Sequence, residues 1–345
     1  MKYELLKWLR CPSCHSSGLE LEVFETDRDD SAIKDGVLLC QKCRVWYKVE
    51  DRVAEIVSRK HPSFDDKNGF LKRYREELKR LELHVTQEGG ESVIDRQKEE
   101  QARFFNESVD AYQTMIDSPF WRAVDKTVLG CWRHELQPRS IILDIGCGDG
   151  RGSLPMARED ITVIGVDISK GMVRKAIDCA EKEGRGNPLF YFVADAENLP
   201  FRNDAFDVCI GYGMLHHLPQ PGNALREISR VLKPSGRFYG LENNRSIFRN
   251  VFDRLMKMKK LWEEEAGEHF IMSSTEIRAW CDRASMSIET QTIVYLPPHV
   301  FNFLGRTGAV IALKVTNAIC GILPYLRDQG GLLVIRGKRR DSVGE

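Results

Sequence analysis

Residues 143–153 read LDIGCGDGRGS, and this stretch decides the fold. The residues just before it are apolar and β-branched, and they predict a buried strand that ends abruptly at Gly146. Glycines follow at positions 146, 148 and 150. A dinucleotide fingerprint needs Gly-x-Gly-x-x-Gly or Ala at such a strand-to-helix turn, but its last position is Arg151 in one register and Ser153 in the other. The loop therefore does not match the dinucleotide-binding motif. Its glycines still let the backbone come close to a bulky ligand, because glycine has no Cβ.

Strands and helices alternate after this loop. Buried strands are predicted for ITVIGVDI (161–168), PLFYFVAD (188–195), FDVCIGYG (206–213) and GRFYGLEN (236–243), with helical patterns between them. Such alternation predicts a parallel sheet that is covered on both faces. Ligands of these sheets bind beyond the carboxyl ends of the strands.

Acidic residues stand at three of these strand ends, at Asp144, Asp167 and Asp195. Each of them alone would be read as a helix cap or a turn residue. Three at successive ends, together with the glycine loop, predict acids that converge on one crevice. Asp167 has the position of an acid that accepts hydrogen bonds from ribose hydroxyls.

The segments GVDIS, DAENLPF, GYGMLHHLP and LREISRVLKPSGRFYGLE resemble the successive motifs of class I S-adenosylmethionine-dependent methyltransferases, in particular their small-molecule and quinone-type branch. The resemblance covers about residues 100–295. It implies a doubly wound, mostly parallel, seven-stranded Rossmann-like α/β sheet and S-adenosylmethionine as the cofactor. It also implies a set of cofactor-binding residues: Asp144, Gly146, Cys147, Gly148, Gly150, Asp167, Ile168, Asp195, Ala196, Gly211 and Tyr212.

The segment after the fourth strand of this sheet contains His216-His-Leu-Pro. Methyltransferases that act on amino groups of nucleobases or Gln side chains often have Asn-Pro-Pro-Tyr here, whereas this version resembles enzymes of small molecules. His216 or His217 could deprotonate an acceptor hydroxyl or acidic carbon, since imidazole titrates near neutral pH. The alternative is that one histidine caps a helix and the other is exposed. By resemblance, the helices before the sheet shape the acceptor pocket, and we expect Phe105 and Tyr112 near the ligand.

The amino-terminal residues contain two Cys-x-x-Cys turns, with Cys11 and Cys14 in the first and Cys40 and Cys43 in the second. This spacing predicts a tetrahedral zinc site of four thiolates in a zinc ribbon over residues 1–57. With four protein ligands the zinc would be structural. The module resembles zinc-ribbon activator proteins that bind certain tRNA and protein methyltransferases, here fused in cis. Zinc-ribbon ribosomal RNA guanine methyltransferases typically have a histidine where this chain has Cys43, which weakens that comparison.

The remaining boundaries follow from composition. Residues 58–95 are charge-dense and predict a helical linker, with Phe70, Tyr74, Leu78 and Leu81 along one stripe. The methyltransferase domain would cover 96–345, with insertions at about 244–272 and 297–330 that form a lid over the acceptor. The second insertion is rich in apolar residues with interspersed cations. It predicts an ordinary packed helix pair or a dimer face and, as the other interpretation, peripheral contact with a membrane.

The net charge and the distribution of apolar residues favour some classes of function over others. The chain has 345 residues and a formal net charge of zero, which disfavours a nucleic-acid partner. No apolar run predicts a secretory signal or a membrane span, so we expect a cytoplasmic protein whose ten cysteines are reduced or bound to metal. A peripheral position at the membrane is the other interpretation. The sequence favours methyl transfer to a small-molecule or lipid- or polyprenyl-linked acceptor. The alternatives are an RNA methyltransferase that uses the ribbon for RNA contact and a non-catalytic binding protein. The oligomeric state is open.

Overall fold

The structure is a computed structural model that describes residues 1–26, 33–58, 67–83, 93–184, 189–258 and 271–341. Its strands are β1 (Leu19–Thr26), β2 (Ile33–Cys40), β3 (Trp46–Glu50), β4 (Val53–Ile56), β5 (Ile141–Ile145), β6 (Thr162–Asp167), β7 (Leu189–Ala194), β8 (Phe206–Tyr212), β9 (Leu232–Asn243), β10 (Met286–Ile293) and β11 (Leu332–Arg339). Its helices are α1 (Lys67–Arg73), α2 (Arg75–Arg80), α3 (Val93–Glu107), α4 (Val109–Ile116), α5 (Pro119–Glu135), α6 (Ser153–Met156), α7 (Lys170–Lys182), α8 (Pro221–Val231), α9 (Ile247–Met258), α10 (Ser274–Arg283), α11 (Pro298–Phe303) and α12 (Gly305–Ile322). Short 3-10 turns cover Tyr3–Trp8 and Leu215–His217.

The strands of the described residues form one sheet in the order β1-β2-β3-β4-β7-β6-β5-β8-β9-β11-β10. The seven strands from β7 to β10 form the predicted α/β sheet, in which β11 alone is antiparallel to its neighbours. The prediction of a seven-stranded sheet is nevertheless wrong for the whole chain. The sheet has eleven strands and is mixed, because the four amino-terminal strands continue it along the edge of β7.

Side chains that alternate along the strands supply two separate cores. On β5, Leu143 and Ile145 belong to one buried cluster and Ile142 to the other. Helix α8 covers the first cluster with Leu225 and Ile228 among others. Helix α5 contributes buried residues to the second. Because successive side chains of a strand point to opposite faces, this division confirms a sheet covered on both sides.

The pairing register of β5, β6 and β7 brings the predicted acidic residues to one edge of the sheet. Ile145 pairs with Val166 on β6, and Asp167 pairs with Val193 on β7. The carboxyl ends of these parallel strands therefore meet, and the loops that follow them lie side by side.

The amino-terminal strands join the larger sheet through β4. Ala54, Glu55 and Ile56 pair in parallel with Phe192, Val193 and Ala194 of β7. All four residues of β4 are buried, and apolar side chains of both parts, including Leu9 and Phe201, share one cluster. The ribbon is thus packed as an extension of the sheet, a relationship that its own sequence does not indicate.

A buried ion-pair network also crosses this junction. Lys170, at the start of α7, lies 2.9 Å from Glu50 and 2.8 Å from Glu55. Lys48 lies 2.9 Å and 3.1 Å from the same two carboxylates. The two lysine ammonium groups thus balance the two glutamate carboxylates, so none of these four charges is left uncompensated in the interior.

The charge-dense segment packs on the ribbon. Phe70, Tyr74 and Leu78 are buried against Val37 and Leu39 of β2, as the predicted stripe requires. The fourth residue of that stripe, Leu81, is partly buried against the same cluster. The helix predicted for this segment is interrupted at Tyr74, between α1 and α2.

The two insertions contain the helices α9, α11 and α12. Helices α11 and α12 pack on α5, where Asn302 Oδ1 accepts a hydrogen bond from the Phe120 amide at 2.9 Å and Phe301 contacts the Phe120 ring. Ala309 and Leu313 are the buried residues of α12. Residues 259–270 of the first insertion lie outside the described residues.

Candidate cofactor and acceptor site

The glycine loop follows β5 with left-handed backbone at Gly146 and Gly148, whose φ angles are 67° and 53°. A Cβ at Gly146 would lie 2.6 Å from the Met214 side chain, so this position has no room for one. A Cβ at Gly148 would meet Tyr112 alone, at 3.9 Å. Gly148 therefore borders open space, and its missing side chain leaves room for a ligand.

That open space is a cavity at the carboxyl edge of β5–β8. Ten of the predicted site residues line it: Phe105, Tyr112, Gly146, Gly148, Asp167, Ile168, Asp195, Ala196, Tyr212 and His217. The sequence did not single out nine further lining residues: Lys98, Gln101, Val166, Met172, Ala194, Gly213, Met214, Leu218 and Pro219. Lys98, Gln101 and Phe105 are three and four residues apart on α3, so one face of that helix closes the cavity.

The other predicted residues lie behind the cavity wall. The Asp144 carboxylate is buried and accepts a hydrogen bond from Ser153 Oγ at 2.5 Å. Cys147 is buried next to Gly165. Gly150 faces Tyr191 and Leu154, and Gly211 packs against Phe238 and Met214. The structure thus places these residues, together with His216, behind the lining residues and not among them.

Asp167 is the acid that borders the glycine loop directly. One carboxylate oxygen accepts from the Gly148 amide at 2.9 Å and the other from the Ser169 amide at 2.8 Å. Each oxygen of a carboxylate has a further lone pair. Asp167 can therefore accept additional hydrogen bonds from a ligand while holding the loop in place.

Asp195 lies at the end of the cavity formed by α3. The ammonium group of Lys98 lies 2.8 Å from Asp195 and 2.7 Å from Glu197. Burial opposes the charged form of Lys98, but the two carboxylates outweigh it and raise the pKa of this lysine. The result is a buried, charged group that fixes the orientation of Asp195.

Carboxylates gather around the glycine loop. Burial raises the pKa of Asp144 to about 7 and also raises the pKa of Asp149 and of Asp167, and each is affected by negative neighbours. Asp149 Oδ1 is buried and has no hydrogen-bond partner among the described residues. A concentration of acidic groups next to an open cavity favours a cationic ligand over an anionic one.

The pKa of Asp144 gives a pH-dependent stability. Because its folded pKa of about 7 exceeds its unfolded value of about 4, the folded state binds the additional proton between these pH values. The free energy of unfolding should therefore fall as the pH rises from about 4 to about 7, by up to about 4 kcal/mol. In Asp144→Asn this loss is absent. We expect the difference in melting temperature, variant minus wild type, to increase between pH 5 and pH 8; parallel curves would contradict the assignment.

The two predicted histidines have different surroundings. His216 is buried, and its Nδ1 lies 2.7 Å from Glu242 Oε2. Glu242 Oε1 accepts from the amides of Met214 and Leu215 at 3.0 and 2.7 Å, so this glutamate fastens the turn that presents the histidines. His217 lines the cavity, with its ring 5.1 Å from that of Phe105. Of the two, His217 is the one that a substrate in the cavity would meet.

Tyr212 is held in the cavity wall by a charged cluster. Its hydroxyl donates to Asp125 at 2.6 Å, and Arg151 contacts the same carboxylate through two nitrogens. The Arg151 guanidinium lies 4.9 Å from the Tyr212 ring centroid and 4.7 Å from that of Trp121. Arg151, which occupies the last position of the dinucleotide fingerprint in one register, thus supports the cavity wall.

The four ribbon cysteines come together at one point. Their sulfur atoms all lie within 4.8 Å of one another, with 3.7 Å between Cys11 and Cys43 and 3.5 Å between Cys14 and Cys40. Four thiolates at about 2.3 Å from a tetrahedral zinc ion would be about 3.8 Å apart. The donor set and its spacing therefore fit zinc. The Tyr47 hydroxyl, 3.1 Å from Cys11 Sγ, adds a polar contact to this sulfur.

The first cysteine turn also contacts the loop that follows Asp195. Asn198 donates to the Pro12 carbonyl at 3.1 Å, and the Arg10 amide donates to the Pro200 carbonyl at 3.0 Å. The Arg202 amide donates to the Trp8 carbonyl at 2.8 Å. The ribbon thereby holds one wall of the cavity in place.

Comparison with known sequences agrees with this site. Residues 143–240 match the family described as methyltransferase domain. The chain is 39% identical over 97 residues to 27-O-demethylrifamycin SV methyltransferase of Amycolatopsis mediterranei, covering 28% of this chain and 36% of that protein. It is 33% identical over 156 residues to demethylmenaquinone methyltransferase of Clavibacter sepedonicus, covering 42% and 61%. The chain thus spans about a third of the length of the curated relatives it matches first.

Comparison with solved structures supports the fold. A complex between the Haloferax volcanii Trm112 methyltransferase activator and the putative methyltransferase matches with a TM-score of 0.51 and 21% identity, covering 71% of this chain and 100% of that chain. Haemonchus contortus phosphoethanolamine N-methyltransferase 2 in complex with S-adenosyl-L-methionine also gives 0.51, at 17% identity, covering 74% and 61%. Residues 143–240 thus resemble a methyltransferase domain, and the likeness to the solved structures supports the predicted Rossmann-like α/β fold.

Proposed function

We propose that this protein transfers a methyl group from S-adenosylmethionine to a small-molecule or lipid- or polyprenyl-linked acceptor, with a structural zinc ion in its ribbon. The observation that carries the proposal is the make-up of the cavity. The carboxylate of Asp167 lines it beside the glycine loop and that of Asp195 lines it at the α3 end, while side chains of Phe105, Tyr112 and Leu218 border it elsewhere.

The residues present fit the cofactor. The missing side chain of Gly148 leaves space at the cavity wall, and Asp167 has lone pairs left for ribose hydroxyls. The acids around the loop suit a ligand that carries a sulfonium and an ammonium group. They would oppose the pyrophosphate of a dinucleotide. When bound, the cofactor supplies an electrophilic methyl group, and the protein supplies position and orientation.

The acceptor side of the cavity is suited to an apolar or aromatic molecule. The rings of Phe105 and Tyr112 are edge to face at 6.3 Å, and the rings of Phe105 and His217 are edge to face at 5.1 Å. His217 is the residue that we assign to removing an acceptor proton. His216 is a positioning residue, because its contact with Glu242 holds the turn that carries His217.

The names of the relatives support a small-molecule acceptor but also keep the RNA alternative testable. Two of them are methyltransferases named for rifamycin and menaquinone precursors. Another, 30% identical over 150 residues, is a tRNA U34 carboxymethyltransferase of Hahella chejuensis. The zero net charge and the absence of Asn-Pro-Pro-Tyr favour the small-molecule acceptor.

The ribbon has a structural function in this proposal. All four sulfurs are available to a single ion, which leaves no open position for a substrate. The Haloferax volcanii protein is found with a separate activator. We infer that the ribbon supports the domain in cis, since it extends the sheet and holds the loop after Asp195.

The experiment is a transfer assay with labelled S-adenosylmethionine against lipid, small-molecule and RNA fractions of the source cell. We expect label in the lipid or small-molecule fraction, and label confined to RNA would contradict the acceptor class. His217→Ala should reduce the transfer rate by about 100-fold or more at saturating cofactor, because a positioned base is lost. The control is His134→Ala, which changes an exposed histidine of α5. Equal rates for both variants would contradict the role of His217.

A further inference from the structure

Helix α12 is apolar on two opposite faces. Ala309 and Leu313 face α5 and are buried, whereas Ile311, Val315 and Ile319 are four residues apart on the outer side and are 50–58% exposed. Ile322 is 79% exposed on the same side, and Leu304, which directly precedes the helix, is 44% exposed. We name these five outer residues the α12 face. A helix that is apolar all round is normally covered on all sides.

Large apolar side chains continue the α12 face at both ends. Phe303 and Tyr325 are 92% and 91% exposed. Exposed apolar residues that occur singly are ordinary, but a contiguous group of this size marks a contact surface. Among the described residues, no helix has both the length and the apolar character needed to cross a membrane. The α12 face could therefore lie on a bilayer but not span it.

The charges of this segment are mostly positive. Residues 297–330 contain Arg306, Lys314 and Arg327 and one acidic residue, Asp328, which lies 3.5 Å from Arg327, although the whole chain has equal numbers of acidic and basic residues. Arg306 and Lys314 are exposed and form no ion pair with any described residue. By contrast, three arginines of β11 and its end are neutralised, since Arg336, Arg339 and Arg340 pair with Glu135, Asp204 and Asp282.

These charges distinguish between two partners for the α12 face, a second copy of the chain and a lipid surface. In a two-fold dimer the α12 face would meet a copy of itself, and α12 of that copy contains no carboxylate that could pair with Lys314. An anionic lipid surface instead offers negative headgroups for Lys314 and an apolar layer for the isoleucines. We propose that α12 docks this protein in the plane of a membrane that contains anionic lipids.

The position of the insertion relates this surface to the cavity. Strand β10 is parallel to β9, and β11 runs in the opposite direction, so the insertion leaves and re-enters the sheet at the carboxyl edge. That is the edge where the cavity lies. Docking would therefore bring the cavity edge toward the lipid surface. The membrane contact itself does not depend on methyl transfer and can be tested without it.

The test is co-sedimentation of the full chain with vesicles of phosphatidylcholine alone or of phosphatidylcholine and phosphatidylglycerol in equal amounts. We expect binding to the anionic vesicles that weakens with added salt. Ile311→Ser/Ile319→Ser should reduce the partition coefficient by about tenfold or more, because apolar contact is lost. The matched control, Tyr3→Ser/Val93→Ser, removes side chains that are 59% and 69% exposed elsewhere and should leave binding unchanged.

A charge-reversal pair tests the electrostatic part. Lys314→Glu should weaken the preference for anionic vesicles, whereas Lys72→Glu on α1 should not. Absence of wild-type binding, or equal binding by the Ile311/Ile319 variant, would overturn the proposal. A wild-type dimer that becomes a monomer in that variant would also overturn it, since a second copy would then cover the face.

Discussion

Replacing Gly148 by alanine should reduce the affinity for S-adenosylmethionine by about 100-fold or more, which corresponds to about 2.7 kcal/mol. The reason is steric. A methyl group at this position has nothing nearer than Tyr112, at 3.9 Å, so the protein itself can accommodate it, but it occupies the space next to the glycine loop that a ligand would use. Calorimetric titration of the folded variant measures the effect.

The control for this variant is Gly184→Ala. Gly184 has φ of 66°, close to the 53° of Gly148, and a Cβ there would meet nothing within 4 Å. Both variants place alanine in left-handed backbone, at a cost of roughly 1–2 kcal/mol of stability. Only Gly148→Ala adds a methyl group at the cavity. Equal loss of affinity in the two variants would mean that backbone strain, and not the cavity, causes the effect.

Cys11→Ser should release the zinc ion and lower the melting temperature of the whole protein by about 10 °C or more. Loss of one thiolate leaves an incomplete site, and the small ribbon depends on its metal for folding. The effect should not stay within the ribbon, because β4 is paired with β7 and Lys170 is bound to Glu50 and Glu55. Metal analysis and a thermal melt measure the two expectations.

Cys131→Ser is the control for this change, since Cys131 is an exposed cysteine of α5 outside the ribbon. It should retain one zinc ion per chain and melt as the wild type does. Full retention of zinc in Cys11→Ser would rule out a four-cysteine site. Loss of zinc with an unchanged melting temperature would show instead that the ribbon folds and melts separately from the sheet.

Sequence periodicity was sufficient to predict the strands of the central sheet, and local spacing was sufficient to predict the glycine loop. Strands β5 and β6, which contain Asp144 and Asp167, are otherwise apolar and rich in β-branched residues, and the left-handed backbone after β5 falls on glycines, which is a local property. The capping box of Ser273 and Glu276 at the start of α10 is likewise a local feature, because both residues act within one turn.

Contacts between elements that are far apart in the sequence could not be predicted from local patterns. Nothing in Val53–Ile56 indicates that β4 pairs with β7, since an apolar strand can pair with any exposed edge. Lys98 belongs to a helix full of charged residues, where a lysine is normally solvated, and its burial results from the Asp195 and Glu197 carboxylates opposite. The partner of His216 was likewise hidden, because Glu242 is 26 residues away at the end of another strand.

The account depends most on the ligand of the cavity between the glycine loop and α3. A crystal structure of the protein grown with S-adenosylmethionine, and with NAD in a parallel experiment, tests this directly. We expect the sulfonium nucleoside in the cavity with its ribose hydroxyls on Asp167, and no NAD there. An empty cavity in the first crystal, or NAD bound in the second, would contradict the account.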